Sequence, residues 1–448
     1  MGVATRTGSR NPIFIAVTAA LCVGVGAAAG ASPKLGLEVT IGLVFVVIVV
    51  ANLLVGVVLF TVLSFLEVIN SGGAALSFMK VAGLVLFVSW YAASATRGGR
   101  ETRSLITAQP ALTVALVALV SWSLISVVWA ESRGTAIAST ERYLLNILLL
   151  PIVFGAIRRR EHFYWIVGAF IFGADISAIY GFLASGGGRL SGAIGDPNQL
   201  AQVLIAALLL SLPLISASPP GSARRFAAIS GAGIAAVGVL YTDSRGGLIA
   251  LGCTLLAGIF VGGRWRYRAL LLLVVSACGF GLYVSVIAPL SAREHLSSSD
   301  TSGRADLWKI GLRMFSANPI TGVGSGNFQF SSIHYLQKAG PLTRADEIVG
   351  SNRVTHNTYL EVADELGLPG LIALLAVVAF AIGAALRAAH RYESAGDVQF
   401  EMMSRALILA IVAFLVADVL LSGQYYKQLW LLLALAPPLL ALAPPADA

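Results

Sequence analysis

Arg189, Arg245, Arg304 and His356 are the side chains whose settings suggest chemistry, because each stands in a polar motif near apolar runs. Arg189 follows Gly186, Gly187 and Gly188. It precedes Asp196-Pro197-Asn198-Gln199, which reads as an N-cap, a first helical proline and a capping-box glutamine. Arg245 lies in Tyr241-Thr242-Asp243-Ser244-Arg245-Gly246-Gly247, a turn in which Ser244 or Asp243 caps the next helix. A cation at a helix start opposes the dipole. An anion shared between the arginine and the helix N-terminus reverses that penalty, so phosphate fits the position. Arg304 repeats this logic at the head of a helix whose Leu307, Trp308, Gly311, Met314 and Phe315 form one stripe, which Asn318-Pro319 stops. The plain alternatives are a well-made cap for Asp196 and a solvated charge for Arg245.

His356 opens the run His356-Asn357-Thr358-Tyr359-Leu360-Glu361. Thr355 reads as N-cap, which puts His356 in the first turn, where the dipole favours the neutral imidazole that a general base must be. A lone histidine can equally be structural. Asn357, Tyr359 and Glu361 could bind sugar hydroxyls or face solvent. No His/Asp/Glu cluster has metal-ligand spacing, and no paired carboxylates suit a metal–nucleotide sugar. The glycines of 321–327 follow no strand, so they do not read as a dinucleotide loop. The chemistry expected is therefore that of arginines and one histidine, with no metal and no cofactor.

The elements that carry these residues are set by composition. Hydrophobic residues make up 57% of the 448-residue chain and charged residues 12%, against about 25% charged in soluble domains. Water cannot wet such a chain as a globule, so a soluble enzyme is excluded and an all-α polytopic membrane protein is expected. Apolar runs allow about 12–14 transmembrane helices, with 36–69 long enough for two short passes. Cys22, Cys253 and Cys278 lie singly in apolar runs and read as buried hydrophobes. The excess of 30 basic over 22 acidic residues reads as loop charge at the membrane, with no nucleic acid as partner.

The positive-inside rule sets the topology. With the N-terminus inside and 36–69 crossing twice, Arg97–Arg103, Arg158–Arg160, Arg224–Arg225, Arg264–Arg268 and Arg387–Arg405 all fall on the cytoplasmic side. Both termini are then cytoplasmic, and the first apolar run, 13–30, is a retained span. The hydrophilic segment 291–355 falls outside, as do Arg189 and Arg245. The chain divides into a helical bundle at 1–290, an extracytoplasmic loop domain at 291–366 and C-terminal helices at 367–448.

In this order the motifs resemble the O-antigen ligase family, which includes O-antigen polymerase-like bacterial polysaccharide proteins. The resemblance rests on Asp196-Pro197-Asn198, Ser244-Arg245-Gly246-Gly247, Gly303-Arg304-Ala305-Asp306-Leu307-Trp308, Asn318–Gly324, His356–Leu360 and Glu365–Gly370, roughly residues 185–370. It implies a multi-pass bacterial inner-membrane enzyme of GT-C-like architecture. The donor would be a glycan on undecaprenyl pyrophosphate or a similar polyprenyl carrier, used without metal. Arg245 and Arg304 would hold the pyrophosphate and His356 would activate the acceptor hydroxyl on a glycolipid, glycan or protein. Arg189, Asp196, Asn198, Asn357, Tyr359 and Glu361 are the candidate substrate contacts. A polymerase of the same chemistry, or a protein O-glycan ligase, differs only in the acceptor. A transporter or flippase would place polar groups at mid-bilayer within repeated, broken helices; only Asp175 and Asp418 are candidates, and no internal repeat is visible. The topology has a direct test. A cysteine placed at Ser298 should react with an impermeant reagent in intact cells, and labelling only after permeabilisation would refute the assignment.

Overall fold

The structure, a computed structural model, describes residues 23–24, 26–27, 29–66, 78–96, 104–184, 188–288, 290, 293, 303–336, 342 and 354–445. Its helices are α1 (Pro33–Ala51), α2 (Leu53–Leu63), α3 (Phe78–Thr96), α4 (Leu105–Ala108), α5 (Pro110–Ile125), α6 (Arg133–Ala156), α7 (Arg160–Ala184) and α8 (Pro197–Ala217). They continue with α9 (Ala223–Tyr241), α10 (Arg245–Val261), α11 (Arg266–Leu282), α12 (Arg304–Ala317), α13 (Phe328–Ser331), α14 (Thr358–Ser394), α15 (Val398–Ala417) and α16 (Lys427–Ala441). No strand occurs among the described residues. The protein is an all-α polytopic membrane protein. Eight helices are long and apolar enough to cross a bilayer, and five shorter apolar helices accompany them among the described residues.

The expected first span, 13–30, lies largely outside the described residues. The stretch 36–69 breaks at Asn52, whose extended backbone ends α1 and whose Oδ1 accepts from the N–H groups of Leu54 and Val55 at 3.1 and 3.3 Å. Its last residues, 67–69, fall outside the described part.

The core is built around α8, which packs on α9 and α15, and around α14 and α16. Polar side chains inside it bond across helices, as a hydrocarbon surround requires. Gln202 donates to the Phe414 carbonyl at 3.1 Å and to Asp418 at 2.8 Å, and Gln428 donates to the Ser64 carbonyl at 2.7 Å. Peripheral α11 is mostly exposed, consistent with a lipid-facing helix.

Charge divides between the two ends of the bundle. At one end Arg160 pairs with Asp397 at 2.5 Å and lies over the ring of Phe400. Buried Glu401 receives both Arg264 and Arg405, and Arg405 also reaches Glu393 at 2.7 Å. Gly263, with φ +51°, leaves room for the Arg405 guanidinium, which would lie 2.7 Å from an added Cβ. These arginines all come from the loops assigned to one side by charge. The loops assigned to the other side meet at the opposite end, where Leu190 N–H bonds the Tyr241 carbonyl at 2.9 Å and Ser132 N–H bonds Asn327 at 2.7 Å.

Arg405→Ala would remove its bonds to Glu401, Glu393 and the Val261 carbonyl, leaving a buried carboxylate with Arg264 alone. Losing one partner of a buried ion pair costs about 3 kcal/mol. The thermal unfolding temperature of the detergent-purified variant should fall clearly. An unchanged midpoint would show that the network is not formed.

Candidate functional site

The arginine-bearing turns are shaped locally. Asp196 caps α8, its Oδ1 accepting from the N–H groups of Asn198 and Gln199 at 2.8 Å each, with Pro197 leading the helix. Ser244 caps α10, its hydroxyl oxygen accepting from Gly247 N–H at 3.0 Å. Gly247 lets α10 approach α8 closely: an added Cβ would lie 2.6 Å from the Ala201 methyl. That approach joins the two motifs, since Ser244 donates to Asn198 Oδ1 at 2.8 Å and Arg189 donates to the same oxygen at 3.3 Å. Arg189 also holds the Thr242 carbonyl at 3.0 Å. The left-handed Asp243 (φ +46°) turns the chain and accepts from Tyr283 at 3.0 Å.

Arg304 is the first residue of α12, after left-handed Gly303. With Asn198, Gly246, Gly247, Leu420 and Leu421 it lines a narrow recess. Burial pushes its guanidinium down from the usual arginine range; Asp196 opposes this, while Arg245 and Arg189 add to it. Arg189 is lowered by burial too, with Asp196 and Asp243 opposing and Arg245 adding. Three guanidinium groups from three separate segments thus share one electrostatic neighbourhood, and two of them begin helices. Arg189 and Arg304 nonetheless stay cationic, because arginine does not deprotonate in proteins.

The histidine segment differs from the sequence expectation. The N-cap of α14 is Asn357, whose Oδ1 accepts from Leu360 N–H at 3.0 Å, and not Thr355. Thr355 is drawn into other bonds: its hydroxyl meets Glu361 at 2.8 Å and its carbonyl accepts from the Trp308 indole at 3.1 Å. His356 therefore precedes the helix, in a left-handed conformation with φ +51°. The argument from the first-turn dipole does not describe it; backbone geometry places it. Histidine tolerates this region better than most residues, yet such conformations are held by their surroundings and gather at functional sites. The surroundings here are shared with Arg304. Trp308, one turn along α12, anchors Thr355. Thr358 N–H bonds the Asp418 and Leu421 carbonyls at 2.9 and 2.8 Å, in the turn that walls the Arg304 recess.

Asn357, Tyr359 and Glu361 are engaged internally. Tyr359 donates to the Leu415 carbonyl at 2.6 Å, and buried Glu361 accepts from Thr355, Ser422 and Gln424. Asp196 is a cap and Asn198 a bridge between arginine turns. The structure thus gathers Arg189, Asp196, Asn198, Arg245 and Arg304, sets His356 in the adjoining segment, and fixes the remaining three in its frame.

The glycine loop at 321–327 serves the same frame. Gly367 (φ +66°) breaks α14, and Pro369 has no N–H for the Glu365 carbonyl. Gly324 N–H supplies it at 2.8 Å, and Val323 N–H bonds the Asp364 carbonyl at 2.9 Å. The Glu365 carboxylate accepts from the N–H groups of Gly326 and Phe328 at 2.7 and 3.2 Å. The loop cradles a carboxylate of its own chain. No group of three or more His, Cys, Asp or Glu fit to hold a metal occurs among the described residues. Sequence reading missed Ser244 as a link to Asn198, and missed Glu131 and His334, which no local motif marks.

Residues 230–375 match a family model described as O-antigen ligase. No curated protein matches the chain closely enough to count as a relative. The matched segment contains Arg245, Arg304 and His356 but not Arg189, Asp196 or Asn198.

The capping assignment is testable. Asn357→Ala should cost about 1 kcal/mol of stability, while Asn357→Asp, which keeps the cap oxygen, should cost little. Equal loss in both variants by thermal unfolding would remove the cap from the account.

Proposed function

We propose that this chain, whose residues 230–375 match the O-antigen ligase family model, transfers a glycan from a polyprenyl-pyrophosphate carrier to an acceptor hydroxyl on the extracytoplasmic face of the bacterial inner membrane. Its glycosyltransferase-like role in the membrane follows from the family and from its apolar helices. The observation that supports the finer reading is the convergence of Arg189, Arg245 and Arg304 around Asn198 and Asp196.

Like charges held together and half-buried repel. A diphosphate relieves this. Guanidinium forks match its oxygens bidentately, and the N-termini of α10 and α12 add backbone N–H groups and the positive ends of their dipoles. Arginines in this arrangement can neutralise the leaving group without a metal.

In the proposed reaction the acceptor oxygen attacks the anomeric carbon as the bond from that carbon to the phosphate oxygen breaks. The electron pair of that bond leaves on the polyprenyl pyrophosphate, where Arg245 and Arg304 stabilise the charge. The His356 imidazole takes the acceptor proton, a role typically contributing about 10²- to 10⁴-fold. One displacement inverts the anomeric configuration and forms no glycosyl-enzyme intermediate. Arg189, tied to Asn198, holds the third side of the diphosphate site. Asp196 keeps its capping role and limits the local positive charge.

Arg304→Ala and Arg245→Ala should each lose binding of a polyprenyl pyrophosphate, measured on the purified protein, and lysine at either position should recover little because the fork is lost. Full activity of Arg304→Lys would point to generic surface charge. His356→Ala should abolish transfer while keeping pyrophosphate binding. Loss of binding in a folded His356→Ala protein would reassign the histidine to phosphate recognition. Chelator should leave turnover intact, and strong inhibition would reveal a metal.

A further inference from the structure

Helix α12 begins at Arg304 and ends at Ala317, with Asn318 as its C-cap. Its 14 residues cover about 20 Å, so it connects the arginine cluster to a second place on the same end of the bundle. There a cavity of about 430 Å³ is lined by Trp129, Glu131, Asn318, Ser331, His334 and Tyr335, beside the turn 321–323. Its size falls within the range of small-ligand sites.

The chemistry of this cavity is the opposite of that at Arg304. Glu131 receives the Ser331 hydroxyl at 2.9 Å and faces a nitrogen of His334 at 3.1 Å. The His334 contact holds its carboxyl below the usual range, so it is a carboxylate at neutral pH and disfavours a phosphate. Asn318 donates to the Tyr335 hydroxyl at 2.9 Å. The buried indole N–H of Trp129 has no hydrogen-bond partner, although the ring itself packs on Trp122 with centroids 5.8 Å apart. An aromatic wall, the Glu131 carboxylate to accept hydroxyl protons, and the polar side chains of Ser331, His334 and Tyr335 beside it suit a neutral, polyhydroxylated ring with an apolar face. That ring is a pyranose.

We propose that the Trp129–Glu131–His334 cavity is a saccharide-binding subsite. It holds a sugar of the glycan about 20 Å from the pyrophosphate, with α12 setting the separation. Which glycan arrives there rests on the reading of Arg245 and Arg304 given above; the binding of a sugar ring does not. The subsite would make the enzyme sensitive to a sugar remote from the bond being transferred. Remote contacts of this kind supply the binding energy that orients a reacting centre.

The experiment is saturation-transfer difference NMR on the detergent-purified full chain, with a panel of methyl glycosides of hexoses, 6-deoxyhexoses and N-acetylhexosamines. At least one glycoside should show transfer that falls several-fold in Glu131→Ala and His334→Ala. Both side chains are about half exposed or more, so these variants should fold. The same signal should persist in Arg304→Ala. Absence of transfer from every glycoside, or transfer unchanged in Glu131→Ala, would overturn the proposal. Farnesyl pyrophosphate serves as the second probe: its binding should fail in Arg304→Ala and survive in Glu131→Ala. If glycoside binding is lost with Glu131 while farnesyl pyrophosphate ignores Arg304, the donor-site reading fails and the subsite stands. In a transfer assay with native lipid-linked glycan, a raised donor KM in Glu131→Ala assigns the sugar to the donor. A raised acceptor KM assigns it to the acceptor, and no change in either KM would again overturn the subsite.

Discussion

Three guanidinium groups are held together at one end of a helical bundle, and the arrangement around them can be read as a response to their repulsion. Two of the three begin helices, where the dipole adds to the cost. Asp196 is the negative charge that acts on both Arg189 and Arg304, and it is already engaged as a helix cap. The cluster makes sense as a site completed by an anion.

The surrounding structure is organised to hold that cluster still. Gly247 brings α10 against α8, and the Asn198 side chain receives both Ser244 and Arg189. Trp308 fastens the head of α12 to Thr355, next to His356, and Thr358 fastens the head of α14 to the turn at 418–421. The break at Gly367 exposes two carbonyls, which the glycine loop satisfies while it encloses Glu365. Trp308, Thr358 and Glu365 are thus tied to backbone at long sequence separation, which fixes the relative positions of α12 and α14.

Much of this was legible because it is local. Asp196-Pro197 and Ser244 are capping chemistry and act over three residues. Asn318 and Gly367 stop or break helices for reasons contained in their own backbones. The cap of α14 was misread because Thr355 and Asn357 are both competent caps, and contacts from Trp308 and Glu361 decided between them. Asn198 as a bridge, the cradle of Glu365 and the pairing of Glu131 with His334 depend on contacts tens to hundreds of residues apart. No spacing within one segment announces them.

The central claim is that the arginines receive a diphosphate. The most direct measurement is a cryo-EM map of the protein in a lipid nanodisc with a bound polyprenyl pyrophosphate. The account predicts both phosphates lodged between Arg245 and Arg304, within hydrogen-bond distance of their guanidinium groups, with Arg189 alongside and His356 facing the free phosphate oxygen that would carry the glycan. Diphosphate density away from these side chains, with the arginines turned instead toward bulk lipid headgroups, would contradict it.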